Sequence, residues 1–301
     1  MAEFPAQETP LRIAICGGGI GGLAIAIGLL KQNFDVTVYE QSSSFREIGA
    51  GIGFGKNSMT AMRLIDPELY AGFMRIATNN GSEAGFDTWF DFIAGMNVGG
   101  VSAGTYLGTI KVDSGNAQCM AARADLLDEM VKLIPHGTAQ FNKKVLNIIQ
   151  DDPEKVVIQF ADGSKSEADA VVGCDGVKAM SRGIVLDGDP NATAPVFTSK
   201  YAYRGLVSMS RAMEVLGKEA ATNRRMYLGH HGHLICFPVA QGKMMNVVAF
   251  KDKPDGVWDG STWVEWTTKD EMIRDFSGFS DTVLKILAVW LNKTVEVLIL
   301  T

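Results

Sequence analysis

Gly17-Gly18-Gly19-Ile20-Gly21-Gly22 fits the pattern G-x-G-x-x-G. In such a turn Gly17 permits a tight reversal and Gly19 lets the backbone approach a pyrophosphate. Gly22 lets a helix pack closely on a strand, and the phosphate charge falls on the helix N-terminus. Glu40 stands 18 residues after Gly22, where an acid accepts hydrogen bonds from adenosine ribose hydroxyls and disfavours a 2′-phosphate. These residues predict a dinucleotide site and leave open which dinucleotide it takes. His230, His231 and His233 form the run HHGH, without the separated second pair of a zinc site. A hairpin turn around Gly232 is the expectation there, and no metal. The four cysteines, Cys16, Cys119, Cys174 and Cys236, lie far apart with no Cys-x-x-Cys pair, so they read as reduced, mostly buried thiols. Neither a Ser-His-Asp set nor a carboxylate pair is evident, so no side-chain nucleophile is expected.

The elements that must position these residues follow from periodicity. Leu11 to Cys16 is a short apolar run bounded by glycine and predicts a buried strand. Ile20 to Asn33 predicts a helix, and the alternating Asp35 to Tyr39 a second strand, which completes a βαβ unit with a parallel sheet. Asn57 to Ile76 reads as helix interrupted at Pro67. Gly85 to Val112 alternates glycine with aromatic and β-branched residues, as strands do. Arg123 to Ile134 is an amphipathic helix. Lys144 to Ile149, Lys155 to Ala161 and Ser166 to Val172 predict three strands. Asp187 to Pro195 is a turn-rich crossing between domains. Strands are expected at Tyr201 to Ser208, Arg225 to Leu228, Leu234 to Val239 and Met245 to Phe250, then a helix from Lys269 to about Leu291.

Composition bounds the possibilities. Of 301 residues, 47% are hydrophobic and 21% charged, a globular balance that supports a sizeable core. A formal charge of −6 offers no basic footprint for nucleic acid. No apolar run reaches the length of a spanning helix, and Met1 to Pro10 lacks the basic start of a signal peptide, so a cytoplasmic protein is the expectation.

Arg46 to Gly55 (REIGAGIGFG) places glycine at 49, 51, 53 and 55. Alternate glycines make poor helix and poor strand but allow backbone to approach a flat ligand. With its neighbours, the segment EQSSSFREIGAGIGFGKNSM resembles FAD-dependent aromatic-ring monooxygenases of the salicylate and para-hydroxybenzoate hydroxylase kind. Fungal hydroxylases of polyketide-derived phenols are the most similar. The resemblance implies an α/β fold: a Rossmann-like FAD-binding domain over 1–186, with an inserted strand-rich part near 85–112. A second, mainly antiparallel β-sheet substrate domain with a C-terminal helix would occupy 187–301. It implies FAD as cofactor, NAD(P)H and O2 as co-substrates and a small aromatic substrate. FAD contacts are implied at Glu40, Gly53 and Arg123, the last in the family's Arg-x-x-Leu element, together with Gly17, Gly19 and Gly22.

Asp169 to Arg182 (DAVVGCDGVKAMSR) is similar to the family's Asp-Gly motif, with Asp175 and Gly176 at the matching positions. Asp175 would lie near the flavin pyrophosphate, and Gly176 would allow a sharp turn. Arg204, in YAYRGLV, matches an arginine that binds the substrate phenolate in phenol-hydroxylating relatives. A permanently charged guanidinium suits that role, because a phenolate ring is electron-rich toward electrophilic oxygen. Phe237 stands where relatives often carry a tyrosine that also holds the phenolate, a bond phenylalanine cannot donate. The family's third signature, a Gly-Asp followed by a histidine and a proline, is not found, since Gly188-Asp189-Pro190 falls too early. The chain therefore reads as a shortened member. Two other expectations are a catalytically impaired FAD-binding protein and a nicotinamide-only reductase.

Overall fold

The computed structural model describes residues 10–45, 51–81, 85–112, 119–254, 256–257, 262–290 and 294–299. The first half of the glycine-rich run, Arg46 to Ala50, lies outside the described residues. The chain opens with β1 (Arg12–Cys16), α1 (Ile20–Lys31) and β2 (Asp35–Tyr39), the expected βαβ unit. There follow β3 (Gly51–Phe54), α2 (Lys56–Ile65), α3 (Pro67–Ile76), β4 (Thr88–Ala94), β5 (Tyr106–Lys111), β6 (Cys119–Ala122) and α4 (Arg123–Val131). Next come β7 (Ala139–Gln140), β8 (Val145–Asp152), β9 (Lys155–Phe160), β10 (Lys165–Ala168), β11 (Ala170–Gly173), α5 (Met180–Val185) and α6 (Pro190–Thr193). The remainder is β12 (Lys200–Ser208), α7 (Met209–Leu216), α8 (Lys218–Thr222), β13 (Arg225–Gly229), β14 (Gly232–Val239), β15 (Met244–Asp252), β16 (Val264–Thr268), α9 (Lys269–Asp275), α10 (Asp281–Ala288) and β17 (Thr294–Ile299).

Two compact units divide these elements. The first takes residues 1–46, 61–72 and 127–195, the second 47–60, 73–126 and 196–301. Sequence order alone would leave 47–60 and 73–126 with the first domain, but their strands pair within the second unit. The first unit holds a parallel sheet in the order β11-β1-β2-β7 and an antiparallel one in the order β10-β9-β8. Ile13, Ile15, Val36 and Val38 pack with Ala26 of α1, which buries one face of the parallel sheet. Ala14 and Tyr39 on the other face meet Ile158, Phe160 and Ala168. Burial on both faces explains why β1 reads as an unbroken apolar run.

The strand expected over 166–172 is two strands. It pairs with β9 as β10, antiparallel, then with β1 as β11, parallel. Asp169 sits at the join, and its carboxylate accepts from the Arg12 backbone N–H at 2.8 Å and from Arg12 Nη2 at 2.6 Å. Apolar periodicity continues through that join, so only the change of partner reveals it.

The second unit is organised on a large sheet in the order β16-β17-β12-β15-β14-β13-β4-β5, antiparallel except where β13 meets β4. One face packs on α7, α9 and α10 through Val207, Leu234, Met245, Val247, Phe276 and Ile286. The helix expected over 269–291 is α9 and α10. Ser280 breaks it by capping α10, its side chain accepting from Val283 N–H. No described helix is long and apolar enough to cross a membrane.

Candidate functional site

In the first unit the glycine turn is a cradle that side chains would fill. Gly17 has φ 107°, and a Cβ there would lie 2.3 Å from the Cys174 carbonyl oxygen. At Gly22 a Cβ would lie 1.9 Å from the Gly17 carbonyl oxygen, so helix and turn meet there only without a side chain. Gly19 is the N-cap of α1, extended and with no side-chain cap, which leaves the first amides of a 12-residue helix open to an anion. Gly21 has open space beside it. The carboxylate of Glu40 reaches over this turn, accepting from Gly18 N–H at 2.7 Å and Ser42 N–H at 2.8 Å. Each oxygen keeps a lone pair for a further donor. The donor and acceptor set fits the pyrophosphate and ribose of a dinucleotide.

Asp175 in the same unit is committed to its own loop. Its carboxylate accepts from Ser181 N–H at 3.0 Å and from the Ser181 hydroxyl at 2.6 Å, which ties the turn at Gly176 (φ 80°) to the start of α5. Arg182 closes that loop with bonds to the Thr193 and Val177 carbonyls. Burial, reinforced by the negative charge of Asp175, pushes the Cys16 thiol up to about 12. That thiol stays protonated and unreactive.

The second unit assembles the remaining residues. Gly53 pairs with Met120, and Gly51 with Ala122, the residue before Arg123. A Cβ on Gly51 would lie 2.6 Å from the Phe237 ring and 2.9 Å from Cγ of Asn246. Phe237 and Asn246 face each other across β14 and β15. Asn246 Oδ1 accepts from Gly51 N–H at 2.9 Å, so one amide fixes the glycine strand to the large sheet. Its Nδ2 is buried without a hydrogen-bond partner among the described residues.

Arg204 lies on β12 opposite Val248, on the same face as Asn246 and Phe237. Its register partner on the other side is Glu296 of β17, and among the residues whose side chains are described no carboxylate forms an ion pair with it. Burial, and after it the charge of Arg204, lower the pKa of Arg123. Two guanidinium groups from positions 81 residues apart in sequence thus share one electrostatic neighbourhood. On the sheet face that carries Arg204, Leu206, Met226 and Ile235 are apolar and half-buried.

The histidine run is a turn: β13 and β14 close at Gly229 and Gly232, and His231 has φ 56°. His233 stacks on Phe250 at 4.5 Å, and burial lowers its pKa. No cluster of metal-ligating groups occurs among the described residues.

Sequence reasoning missed Asn246 and Arg224. Asn246 is a lone polar residue in the apolar run MMNVVAF, a signal that could have been read. Arg224 is fully buried; it donates to Asn80 Oδ1 at 2.9 Å and the Thr88 carbonyl at 2.8 Å, and burial lowers its pKa to about 10. Its partners lie 144 and 136 residues away, beyond any local signal.

A family model for an NAD(P)-binding Rossmann-like domain matches residues 15–45, the glycine turn and Glu40 included. The FAD-dependent monooxygenase pigN of Monascus ruber is 41% identical over 286 residues, covering 93% of this chain and 64% of that protein. The chain is homologous to the FAD-dependent monooxygenases. A Pseudomonas putida salicylate hydroxylase is 34% identical over 292 residues, covering 93% of this chain and 64% of that protein. A solved salicylate hydroxylase substrate complex superposes with a TM-score of 0.79 at 29% identity, covering 97% of this chain and 69% of that one. Against a dual trans-enoyl reductase/FAD-dependent monooxygenase of Aspergillus terreus, 42% identical, the chain spans 38% of the relative's length. It spans less than two thirds of the length of these curated relatives.

Proposed function

We propose that the chain is an FAD-dependent monooxygenase that hydroxylates a small phenolic substrate, with NAD(P)H as reductant and O2 as oxidant. The observation that carries this is Arg204, a half-buried guanidinium on the sheet face that also bears Val248, Asn246 and Phe237. Such a site takes a flat, apolar ring bearing a negative oxygen. Kinship with enzymes named salicylate hydroxylase and 6-methylsalicylate 1-monooxygenase supports the same reading. It favours neither a nicotinamide-only reductase nor an inert FAD-binding protein.

When bound, FAD would supply the O2 activation, with NAD(P)H as the source of the electrons. The chain's own residues bind and orient. Gly17, Gly19 and Gly22 with the α1 N-terminus would hold the pyrophosphate, and Glu40 would accept the ribose hydroxyls. Gly53 and Arg123 would contact FAD, and Asp175 would shape the turn at Gly176. Arg204 would keep the substrate ionised, which raises electron density on its ring. Phe237 adds apolar wall where a tyrosine would donate, so Arg204 carries the oxyanion with less help. A cytoplasmic setting belongs to the same proposal and suits four cysteines that form no disulfide.

The test is an absorption spectrum of the purified protein. Flavin bands that bleach on adding NAD(P)H, with hydroxylated product formed from a phenol in air, are the expected result. A protein that takes up no flavin when FAD is supplied contradicts the proposal.

A further inference from the structure

β3 pairs only with β6, in a sheet of two strands, and among the described residues no strand lies along its other edge. The two strands reach the large sheet by separate anchors. Met120 of β6 exchanges both backbone bonds with Thr78, whose hydroxyl accepts from Gln241 N–H at 3.0 Å, at the turn between β14 and β15. Gly51 of β3 donates its N–H to Asn246 Oδ1 at 2.9 Å, across 195 residues of chain. The seat around that bond is tight. A Cβ on Gly51 would lie 2.6 Å from the Phe237 ring and 2.9 Å from both Asn246 Cγ and Val239 Cγ1.

Stability alone does not account for an amide in that seat. Asn246 is 2% exposed, and its Nδ2 donates to nothing among the described residues. A buried donor left unmade opposes folding, whereas an apolar side chain of similar volume fills such a place without that penalty. What the amide supplies and leucine does not is one acceptor for one backbone N–H of β3. We infer that Asn246 is a positioning residue for the cofactor: by fixing Gly51 on the large sheet it sets where β3 presents Gly53, and so sets the affinity for FAD without touching it. This rests on the proposed contact between Gly53 and FAD. Fold and affinity then respond differently to the loss of the amide. Leucine removes one orphaned donor and creates another at Gly51 N–H, two changes that oppose each other in stability, while β6 stays anchored through Thr78. For a ligand that reads Gly53, nothing offsets the release of β3.

The experiment compares Asn246→Leu and Asn246→Asp with the parent full chain, by melting curves and by titration calorimetry with FAD and, separately, with ADP. ADP probes only the glycine cradle and Glu40 of the first unit. Asn246→Leu should melt close to the parent and bind ADP as the parent does, yet bind FAD about three- to tenfold more weakly, the worth of one neutral hydrogen bond. Asn246→Asp keeps an acceptor for Gly51 N–H but buries a carboxyl, so it should melt lower and hold FAD within about twofold of the parent. Should Asn246→Leu fail to melt cooperatively, Asn246→Ser, whose hydroxyl is too short to reach Gly51, is held to the same FAD and ADP expectations. Parental FAD affinity in the variant without an acceptor overturns the positioning role and leaves the cofactor assignment intact. Loss of FAD and ADP together, or an equal loss of FAD in Asn246→Asp, reports general damage to the structure and overturns it too. A parent chain that binds ADP but no FAD overturns the FAD reading itself.

Discussion

Burial first, and then the positive charge of Arg204, lower the pKa of Arg123, and an anion bound at Arg204 would offset that repulsion. Arg204→Ala should therefore retain flavin but weaken a phenol such as 5-methylresorcinol about ten- to a hundredfold, the worth of one charge-assisted hydrogen bond. Arg204→Lys should recover only part of that affinity, because an ammonium lacks the planar fork. Calorimetry beside the flavin spectrum decides the matter, and loss of flavin in either variant would reassign Arg204 to the cofactor. Glu40 makes a complementary case on the first unit. Its carboxylate already accepts two backbone N–H groups and retains lone pairs for ribose hydroxyls. Glu40→Ala should weaken FAD by about 1.5–3 kcal/mol for each ribose bond lost. Flavin retention through gel filtration matching the parent protein would remove Glu40 from the site.

At the level of elements, β12 is held from its closed face by a tryptophan. A Cβ on Gly205 would fall 1.0 Å from Nε1 of Trp290, so the strand beside Arg204 tolerates no side chain while that ring is in place. Gly205→Ala should cost about 1–3 kcal/mol or more by overpacking. Much of this should vanish in a Trp290→Ala background, although Trp290→Ala alone is itself destabilising. Additive urea-unfolding free energies across that cycle would show that the two positions do not meet. The same strand carries Tyr201 and Tyr203, whose hydroxyls donate to one oxygen of Asp275 at 2.5 and 2.6 Å, a bond to α9. Burial first, and then the bond to Asp275, raise both tyrosine pKa values above the usual 10. Unfolded tyrosines release protons near pH 10 while the folded ones keep theirs, so stability is full below that pH and falls as pH rises beyond it. Urea midpoints at pH 9 and 11 should show this loss, and Tyr203→Phe should reduce the difference. An unchanged slope in that variant would mean that other groups set the alkaline limit.

For the molecule as a whole, cofactor binding should register as stability. A ligand that binds only the folded chain adds RT ln(1 + [L]/Kd), about 2.7 kcal/mol at a hundredfold excess over Kd. FAD should therefore raise the melting temperature in a concentration-dependent way, and Glu40→Ala should shift that dependence to higher FAD. A melting temperature indifferent to FAD would contradict the cofactor assignment. Because each unit has its own core, calorimetry should also show whether FAD stabilises one transition or two.

What the sequence determined by itself is local. Gly17 to Gly22, Glu40 and the turn at Gly176 were legible because their geometry is set within a few residues, or within one βαβ unit whose handedness leaves little choice. Alternating patterns likewise located most strands of the second unit. Tertiary structure decided the rest. The run from Ser166 to Val172 changes sheets at Asp169 without a break in hydrophobicity. The expected helix 269–291 yields at Ser280, where a side-chain cap competes with continuation. Arg123 beside Arg204, Asn246 on Gly51 and Arg224 on Asn80 join positions 81, 195 and 144 residues apart. Periodicity records which side of a strand is apolar, but not which strand lies next to it. Sheet order fixes that, through connections paid in chain entropy and repaid by burial over the whole fold. The apolar row that runs in register from Arg204 through Val248, Ile235 and Met226 to Phe92 exists only in that order.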